Sequence, residues 1–190
     1  TGGWPGVIDV PTGGGKTAAL DVALYHLARD GGRNAPRRIV LVVDRRVIVD
    51  QVSQHARTLR AAIERADTAP LRFMRDALRR IVGSPDDPLL ETAVLRGASP
   101  RDDAWAHRPH VPVLAASTVD QIGSRLFFRG YGVSSSMRPV HAGLVGCDTL
   151  LLLDEVHLAR PFADVLAQLA ELRGEEGGVP RRFCLTRLSA

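Results

Sequence analysis

A glycine-rich segment near the start of the chain combines residue types that bind phosphate groups. It reads Pro11-Thr12-Gly13-Gly14-Gly15-Lys16-Thr17 and follows the mostly apolar residues 7–10. Consecutive glycines allow a tight turn whose backbone N–H groups point to one place, and a helix beginning near Thr17 would add the positive end of its dipole. Lys16 offers a compact charge for the β- and γ-phosphates of a nucleotide, and the Thr17 hydroxyl suits Mg²⁺. Residues 11–17 therefore predict a site for ATP and Mg²⁺.

Lys16 also stands out by composition. The chain contains 25 lysine and arginine residues, and Lys16 is the only lysine among them. A planar guanidinium is a poor substitute for a compact ammonium group inside a tight phosphate cradle. A lysine at this position therefore agrees with a phosphate-binding role.

An acidic pair follows a second apolar run. Four successive leucines lead into Asp154-Glu155-Val156-His157. If the leucines form a buried parallel strand, the acidic pair lies at the carboxyl edge of a sheet, where ligands bind. Asp154 would then hold Mg²⁺, Glu155 would orient and deprotonate the water that attacks the γ-phosphate, and His157 would sense the nucleotide. The predicted catalytic residues are thus Lys16, Asp154, Glu155 and His157, with Thr17 and Asp154 as metal ligands.

The elements that must position these residues alternate along the chain. Apolar runs predict strands at 7–10, 38–44, 89–95, 113–117, 149–153 and 182–186. Helical spacing predicts helices at 17–29, 45–66, 70–81, 139–144 and 161–172, and one more that Ser117 or Thr118 would cap. This alternation predicts an α/β fold with a mostly parallel sheet and helices on both faces. A length of 190 residues fits one domain.

Composition narrows the class of protein further. With 45% hydrophobic and 24% charged residues, the chain is typical of globular proteins, and its net charge of +4 mildly favours an anionic partner. Cys147 and Cys184 make neither a disulfide framework nor a metal-ligand spacing, so they are predicted to be buried in a reducing compartment. No apolar run approaches the roughly 20 residues that cross a bilayer, and the start has no signal-peptide pattern. The predicted location is the cytoplasm, without membrane attachment.

Three segments allow more than one interpretation. The arginines along 70–81 are predicted to form a solvated face rather than a nucleic-acid contact. His107 and His110 are predicted to be surface histidines rather than zinc ligands, since further ligands are missing nearby. Residues 129–136 are either a loop that grips a backbone phosphate or a plain connector.

The order of four motifs resembles the first RecA-like domain of superfamily 2 DExH helicases. Val10 stands where the general phosphate-loop pattern has glycine, but Pro-Thr-Gly-x-Gly-Lys-Thr is the variant of this superfamily. More narrowly, residues 129–158 resemble the CRISPR-associated helicase-nuclease of type I systems, in the subtype G branch formerly called U. The four motifs are Pro-Thr-Gly-Gly-Gly-Lys-Thr at 11–17, Asp-Arg-Arg-Val-Ile-Val-Asp-Gln at 44–51, Ser-Thr-Val-Asp-Gln-Ile-Gly-Ser-Arg-Leu at 117–126 and Leu-Leu-Asp-Glu-Val-His-Leu at 152–158.

The resemblance implies an ATP-driven enzyme that translocates on single-stranded DNA after a CRISPR surveillance complex has opened an R-loop. It places Lys16 and Thr17 on the nucleotide and Mg²⁺, and Asp154 and Glu155 in hydrolysis. Contacts to DNA would be mainly to phosphates and therefore insensitive to sequence. The implied DNA contacts are Arg45, Arg46, Arg96, Ser117 and Thr118.

Departures from that family keep two other functions open. The second RecA-like domain, which supplies an arginine finger, has no counterpart in the sequence, and no His-Asp dipeptide of the nuclease domain occurs. Leu188-Ser189-Ala190 looks like a third helicase motif cut before its threonine, so we expect a fragment that binds nucleotide weakly and unwinds nothing. The alternatives are a nucleotide-binding module without motor activity and a superfamily 2 helicase of DNA repair or RNA metabolism.

Overall fold

Strands and helices alternate along the chain, as the apolar runs predict. The computed structural model describes residues 4–11, 14–97, 103–155, 160–175 and 183–189. The strands are β1 (Val7–Asp9), β2 (Arg38–Val43), β3 (Glu91–Leu95), β4 (Val113–Thr118), β5 (Thr149–Asp154) and β6 (Phe183–Ser189). The helices are α1 (Ala18–Asp30), α2 (Arg46–Arg65), α3 (Ala69–Val82), α4 (Ala104–His107), α5 (Val119–Leu126), α6 (Arg138–Gly146) and α7 (Arg160–Glu175).

The strands form one parallel sheet in the order β1-β6-β5-β2-β4-β3. Every residue of the inner strands β2 and β4 is buried, which explains why their sequences are apolar without alternation. β1 is an edge strand of three residues, and its Val7 is exposed. The predicted α/β fold with a parallel sheet is confirmed.

Helices cover both faces of this sheet, and side chains of β2 alternate between two cores. Ile39, Leu41 and Val43 join the core formed with α1, α2 and α3, whereas Val40 and Val42 join the core formed with α4 to α7. The two-residue period of a strand produces this division. Both cores anchor the strands whose carboxyl ends carry the predicted site residues.

Local sequence signals account for the end of α1 and the start of α3. α1 ends at Gly31, which has a left-handed φ of +68° and donates its N–H to the carbonyls of Leu27 and Ala28. α3 has Pro70 in its first turn, where the missing N–H costs nothing. These two ends agree with the sequence-based boundaries to within one residue.

Several sequence-based predictions need correction. α4 lies in a stretch that has no usable periodicity, and its Trp105 is buried in the second core. Cys147 and Cys184 are only partly buried, not fully buried as predicted. Arg79 is not simply solvated, because its Nη1 donates to the carbonyls of Ser84 and Asp87 and thereby holds the loop after α3. Within the described residues, every helix is too short or too polar to cross a bilayer.

Candidate functional site

The described residues of the glycine-rich segment lie between β1 and α1 and are held by backbone hydrogen bonds. Gly14 donates its N–H to the Pro11 carbonyl at 2.8 Å, and Ala18 donates to the Gly15 carbonyl at 2.8 Å. α1 starts directly after Thr17, so its first-turn N–H groups lie beside the turn. Thr12 and Gly13, two of the predicted ligands, lie outside the described residues.

Two of the glycines are required for different reasons. A Cβ atom at Gly14 would lie 2.7 Å from Val10 Cγ1 and 2.8 Å from the Pro11 carbonyl oxygen, so no side chain fits there. Gly15 has open space around it but a φ of +84°, which side chains of L-residues disfavour. Val10, the departure from the general phosphate-loop pattern, thus packs against the turn and restricts Gly14 to glycine.

An ion pair joins the turn to the acidic pair. Lys16 Nζ lies 3.0 Å from Asp154 Oδ1, with only 14% and 16% of the two side chains exposed. Lys16 follows β1 and Asp154 ends β5, with β6 between the two strands. The sheet therefore brings together the two halves of the predicted catalytic set.

Glu155 adopts an unusual backbone conformation next to this ion pair. Its φ is +49°, in the left-handed region, and its N–H donates to Asp154 Oδ1 at 2.9 Å. Such a conformation costs a non-glycine residue about 1–2 kcal/mol. Strain of this kind is concentrated at functional sites, where a side chain must point in one direction. A half-buried carboxylate at the edge of a parallel sheet is suited to bind a water molecule as a general base.

The residues present fit a magnesium ion held together with a nucleotide. Within the described residues, Asp154 Oδ1 accepts from Lys16 and from the Glu155 N–H, whereas Oδ2 has no partner. Thr17 makes no capping bond with its hydroxyl. No cluster of three His, Cys, Asp or Glu side chains occurs in the same part of the chain. Mg²⁺ typically uses one or two protein oxygens plus phosphates and waters, so Asp154 and Thr17 suffice. His157 lies outside the described residues.

The residues implied as DNA contacts lie at the same edge of the sheet but in its other half. Arg45 and Arg46 follow β2, Arg96 follows β3, and Thr118 ends β4. β2, β4 and β3 are adjacent, while β1, β6 and β5 carry the phosphate turn and the acidic pair. The edge is therefore divided into two neighbouring zones.

These implied contacts differ in how accessible they are. Arg45 and Arg46 are exposed, whereas Arg96 is half-buried and pairs with Asp50 at 3.1 Å. Ser117 is fully buried, and its hydroxyl donates to the Leu95 carbonyl at 3.2 Å. Ser117 thus presents no hydroxyl to a ligand, and neither it nor Thr118 caps α5 through its side chain.

A cleft of about 490 Å³ opens in this second zone. Its lining includes Arg46 and Thr118, which the resemblance implies as DNA contacts, and Tyr131 of the segment 129–136, which the sequence left open as a phosphate-gripping loop or a connector. Asp44 and Asp120, to which no individual role was assigned, also line it. Tyr131 could not be recognised individually from the sequence, because the glycines and serines around it are typical of connecting segments. The nearby pair Phe127-Phe128, an apolar dipeptide just after a helix, was the available clue.

A buried polar cluster holds α5 and α6 together behind this cleft. Arg125 Nε donates to His141 Nδ1 at 3.3 Å, and Arg125 Nη1 donates to the Gln121 side-chain oxygen at 2.6 Å. His141 Nε2 lies 3.4 Å from Asp103 Oδ1, and its ring packs edge-on against Trp105. Burial lowers the pKa of His141, and the neighbouring Arg125 lowers it further. The lowered pKa and the hydrogen bond that Nδ1 accepts from Arg125 both favour the neutral form of His141 in the folded protein.

The folded protein is expected to lose stability as the pH falls below 6.5, the ordinary pKa of the His141 side chain. The unfolded chain takes up a proton near that pH, whereas folded His141 has a lowered pKa and takes one up only at lower pH, so protons favour unfolding. The contribution is at most about 1.4 kcal/mol per pH unit. Urea unfolding of the wild type and of His141→Gln on both sides of this pH measures it. An equal pH dependence in the two proteins would contradict the assignment.

Comparison with protein-family models found no match to the chain, and comparison with the sequences of curated proteins found none either.

Proposed function

We propose that this chain is the ATP-binding half of an ATP-dependent helicase or translocase that moves on single-stranded DNA. The observation that carries the proposal is the 3.0 Å contact between Lys16 Nζ and Asp154 Oδ1. It joins a glycine turn suited to phosphates with a carboxylate suited to Mg²⁺, at the sheet edge where nucleotides bind. ATP and Mg²⁺ are the proposed cofactors, with Glu155 as general base.

The arrangement of the sheet supports coupling between nucleotide and nucleic acid. β5, which carries Asp154, is hydrogen-bonded to β2, which leads into Arg45 and Arg46. The nucleotide zone and the exposed arginines thus belong to adjacent strands. Arginine side chains at such a position suit sequence-independent contacts with phosphates.

The biological setting is proposed from the resemblance of residues 129–158 to the type I CRISPR helicase-nuclease. In that setting the protein acts in the cytoplasm in defence against foreign DNA, and a surveillance complex delivers the opened strand. A second RecA-like domain would complete the ATP site with an arginine finger. A gene neighbourhood without CRISPR components would instead favour a helicase of DNA repair or RNA metabolism.

Single-stranded DNA is expected to stimulate ATP hydrolysis by the whole natural protein, because binding at the second zone favours the catalytically competent arrangement at the first. Phosphate release with and without an oligonucleotide measures the effect. The double variant Arg45→Ala, Arg46→Ala is expected to lose the stimulation, whereas Arg72→Ala, which removes an exposed arginine from α3, keeps it. Complete indifference of the wild type to DNA would overturn the motor and leave a nucleotide-binding module.

A further inference from the structure

Three large aromatic side chains are exposed within one short segment after α5. Phe127, Phe128 and Tyr131 are 52%, 63% and 57% exposed, although only 5% of all residues in the chain are aromatic. Folding normally places such side chains in the core, as it does with Trp105. Three exposed aromatic side chains within five consecutive residues therefore indicate a binding surface.

The backbone under these side chains is held firmly. Arg129 and Gly130 donate their N–H groups to the Ser124 carbonyl at 2.8 and 2.9 Å, and Tyr131 donates to Ser124 Oγ at 3.3 Å. Val133 is buried and closes the segment with a bond to the Gly130 carbonyl. The segment is thus a structured turn rather than a loose connector, and its aromatic rings have fixed attachment points.

The backbone of Phe128 adopts a conformation that is unfavourable for a residue with a bulky side chain. Its φ is +62°, in the left-handed region, which is a genuine outlier for a bulky side chain. Because the ring is mostly exposed, packing of the ring offsets little of this backbone strain. Strain at an exposed aromatic residue points to a ligand that uses the ring.

Charge and position identify the ligand class. Tyr131 lines the same cleft as Arg46, and the exposed carboxylates of Asp44 and Asp120 also line it. Carboxylates repel phosphate groups but accept hydrogen bonds from N–H groups of nucleobases, such as the amino group of cytosine or the ring N3–H of thymine. Aromatic rings stack on bases of any sequence. A strand with its phosphates toward the exposed arginines and its bases toward Tyr131 satisfies both sets of groups.

We propose that Phe127, Phe128 and Tyr131 form a stacking platform for unpaired nucleobases, with Tyr131 placing a base in the cleft beside Asp44 and Asp120. The inference rests on the proposed function, since it names how the same strand is gripped. It assigns the segment 127–133 a contact with bases in addition to the phosphate contacts of Arg45 and Arg46. The contact depends on the ring and not on the base sequence.

Binding of a labelled oligothymidylate and of an abasic oligomer of equal length tests the platform in the full chain. We expect Tyr131→Ala to weaken oligothymidylate binding roughly 5- to 150-fold, the range for loss of one stacked base, and to leave abasic binding unchanged. Tyr131→Phe, which keeps the ring, should retain binding. Tyr25→Ala is the matched control, because this exposed tyrosine contacts Phe73 on α3 and does not line the cleft.

A second variant separates binding from folding. Phe128→Gly relieves the left-handed backbone while removing an exposed ring, so it should unfold at no lower temperature than the wild type and still bind oligothymidylate more weakly. Wild-type binding by Phe128→Gly and Tyr131→Ala would overturn the platform. So would equal affinity of the wild type for the abasic oligomer, or self-association of the chain that Tyr131→Ala abolishes without any change in DNA binding.

The platform and the proposed function fail in different ways. If a fluorescent ATP analogue binds but oligothymidylate does not, the platform is overturned and the nucleotide site stands. If oligothymidylate binding depends on Tyr131 but no nucleotide binds, the platform is supported and the ATP site is overturned. The chain could also bind oligouridylate, with the same dependence on Tyr131, but not oligothymidylate. That result would support stacking and would overturn only the DNA part of the proposed function.

Discussion

Lys16→Ala is expected to abolish ATP binding. The substitution removes the side chain that lies 3.0 Å from Asp154 and would reach the nucleotide phosphates. A hydrogen bond to a charged group contributes about 1.5–3 kcal/mol, so affinity should fall roughly 10- to 150-fold for each such bond lost. A site that binds weakly at the outset would then show no measurable binding. Equilibrium titration with a fluorescent ATP analogue in the presence of Mg²⁺ measures the loss.

Arg29→Ala provides the matched control for Lys16→Ala. Arg29 is an exposed basic residue in the last turn of the same helix, α1, so this substitution also removes one positive charge. It should bind the analogue as the wild type does. Thermal unfolding of both variants shows whether the chain remains folded. Unchanged affinity in a folded Lys16→Ala protein would contradict the phosphate-binding role of this lysine.

Glu155→Gln is expected to preserve ATP binding and to stop turnover. Glutamine has the same shape but cannot take a proton from the attacking water, and loss of a general base typically reduces the rate roughly 10²- to 10⁴-fold. Binding should persist because Glu155 makes no contact with Lys16 in the described structure, where Lys16 pairs with Asp154. Titration with the analogue gives the affinity, and phosphate release by the whole natural protein gives the rate.

The control for this variant is Glu171→Gln, an exposed carboxylate on α7. It removes the same charge far along the chain from the acidic pair and should leave turnover unchanged. Normal turnover by Glu155→Gln would disprove its role as general base. Loss of binding together with loss of turnover would instead place Glu155 among the residues that hold the nucleotide.

The strands and their parallel arrangement could be predicted because strands that are buried on both faces consist of nearly continuous apolar residues. β2 and β5 consist mostly of consecutive apolar residues, which is typical of parallel strands buried on both faces. Strand order left no such trace. The last strand, β6, inserts between β1 and β5, and this placement depends on packing between segments far apart in the chain. The four-residue helix α4 was also hidden, since so short an element has no measurable period.

The geometry of the proposed nucleotide site was more predictable than that of the proposed nucleic-acid zone. Lys16 and Asp154 were expected at the same edge of the sheet, because Lys16 comes after one parallel strand and Asp154 ends another, but their contact depends on the strand order, which only the structure shows. The orientation of Ser117 could not be predicted, because a serine near a strand end can point to solvent or into the sheet, and here its hydroxyl donates to the Leu95 carbonyl of the neighbouring strand. Tyr131 was interpreted from the flexible composition around it, whereas the hydrogen bonds to Ser124 that order the segment are visible only in the structure.

In the absence of a ligand, the positive charge of Lys16 and the negative charge of Asp154 compensate each other. If Lys16 turned to a nucleotide that lacked Mg²⁺, the half-buried carboxylate of Asp154 would be left uncompensated, and an unpaired charge of this kind is costly. If Asp154 turned to a metal that lacked a nucleotide, the charge of Lys16 would likewise be left without a compensating partner. Both charges can exchange partners at no such cost only when phosphate and metal arrive together. By linkage, each would then raise the affinity for the other by the same factor, so in the proposed site the ion pair would select the metal–nucleotide complex over either of its components.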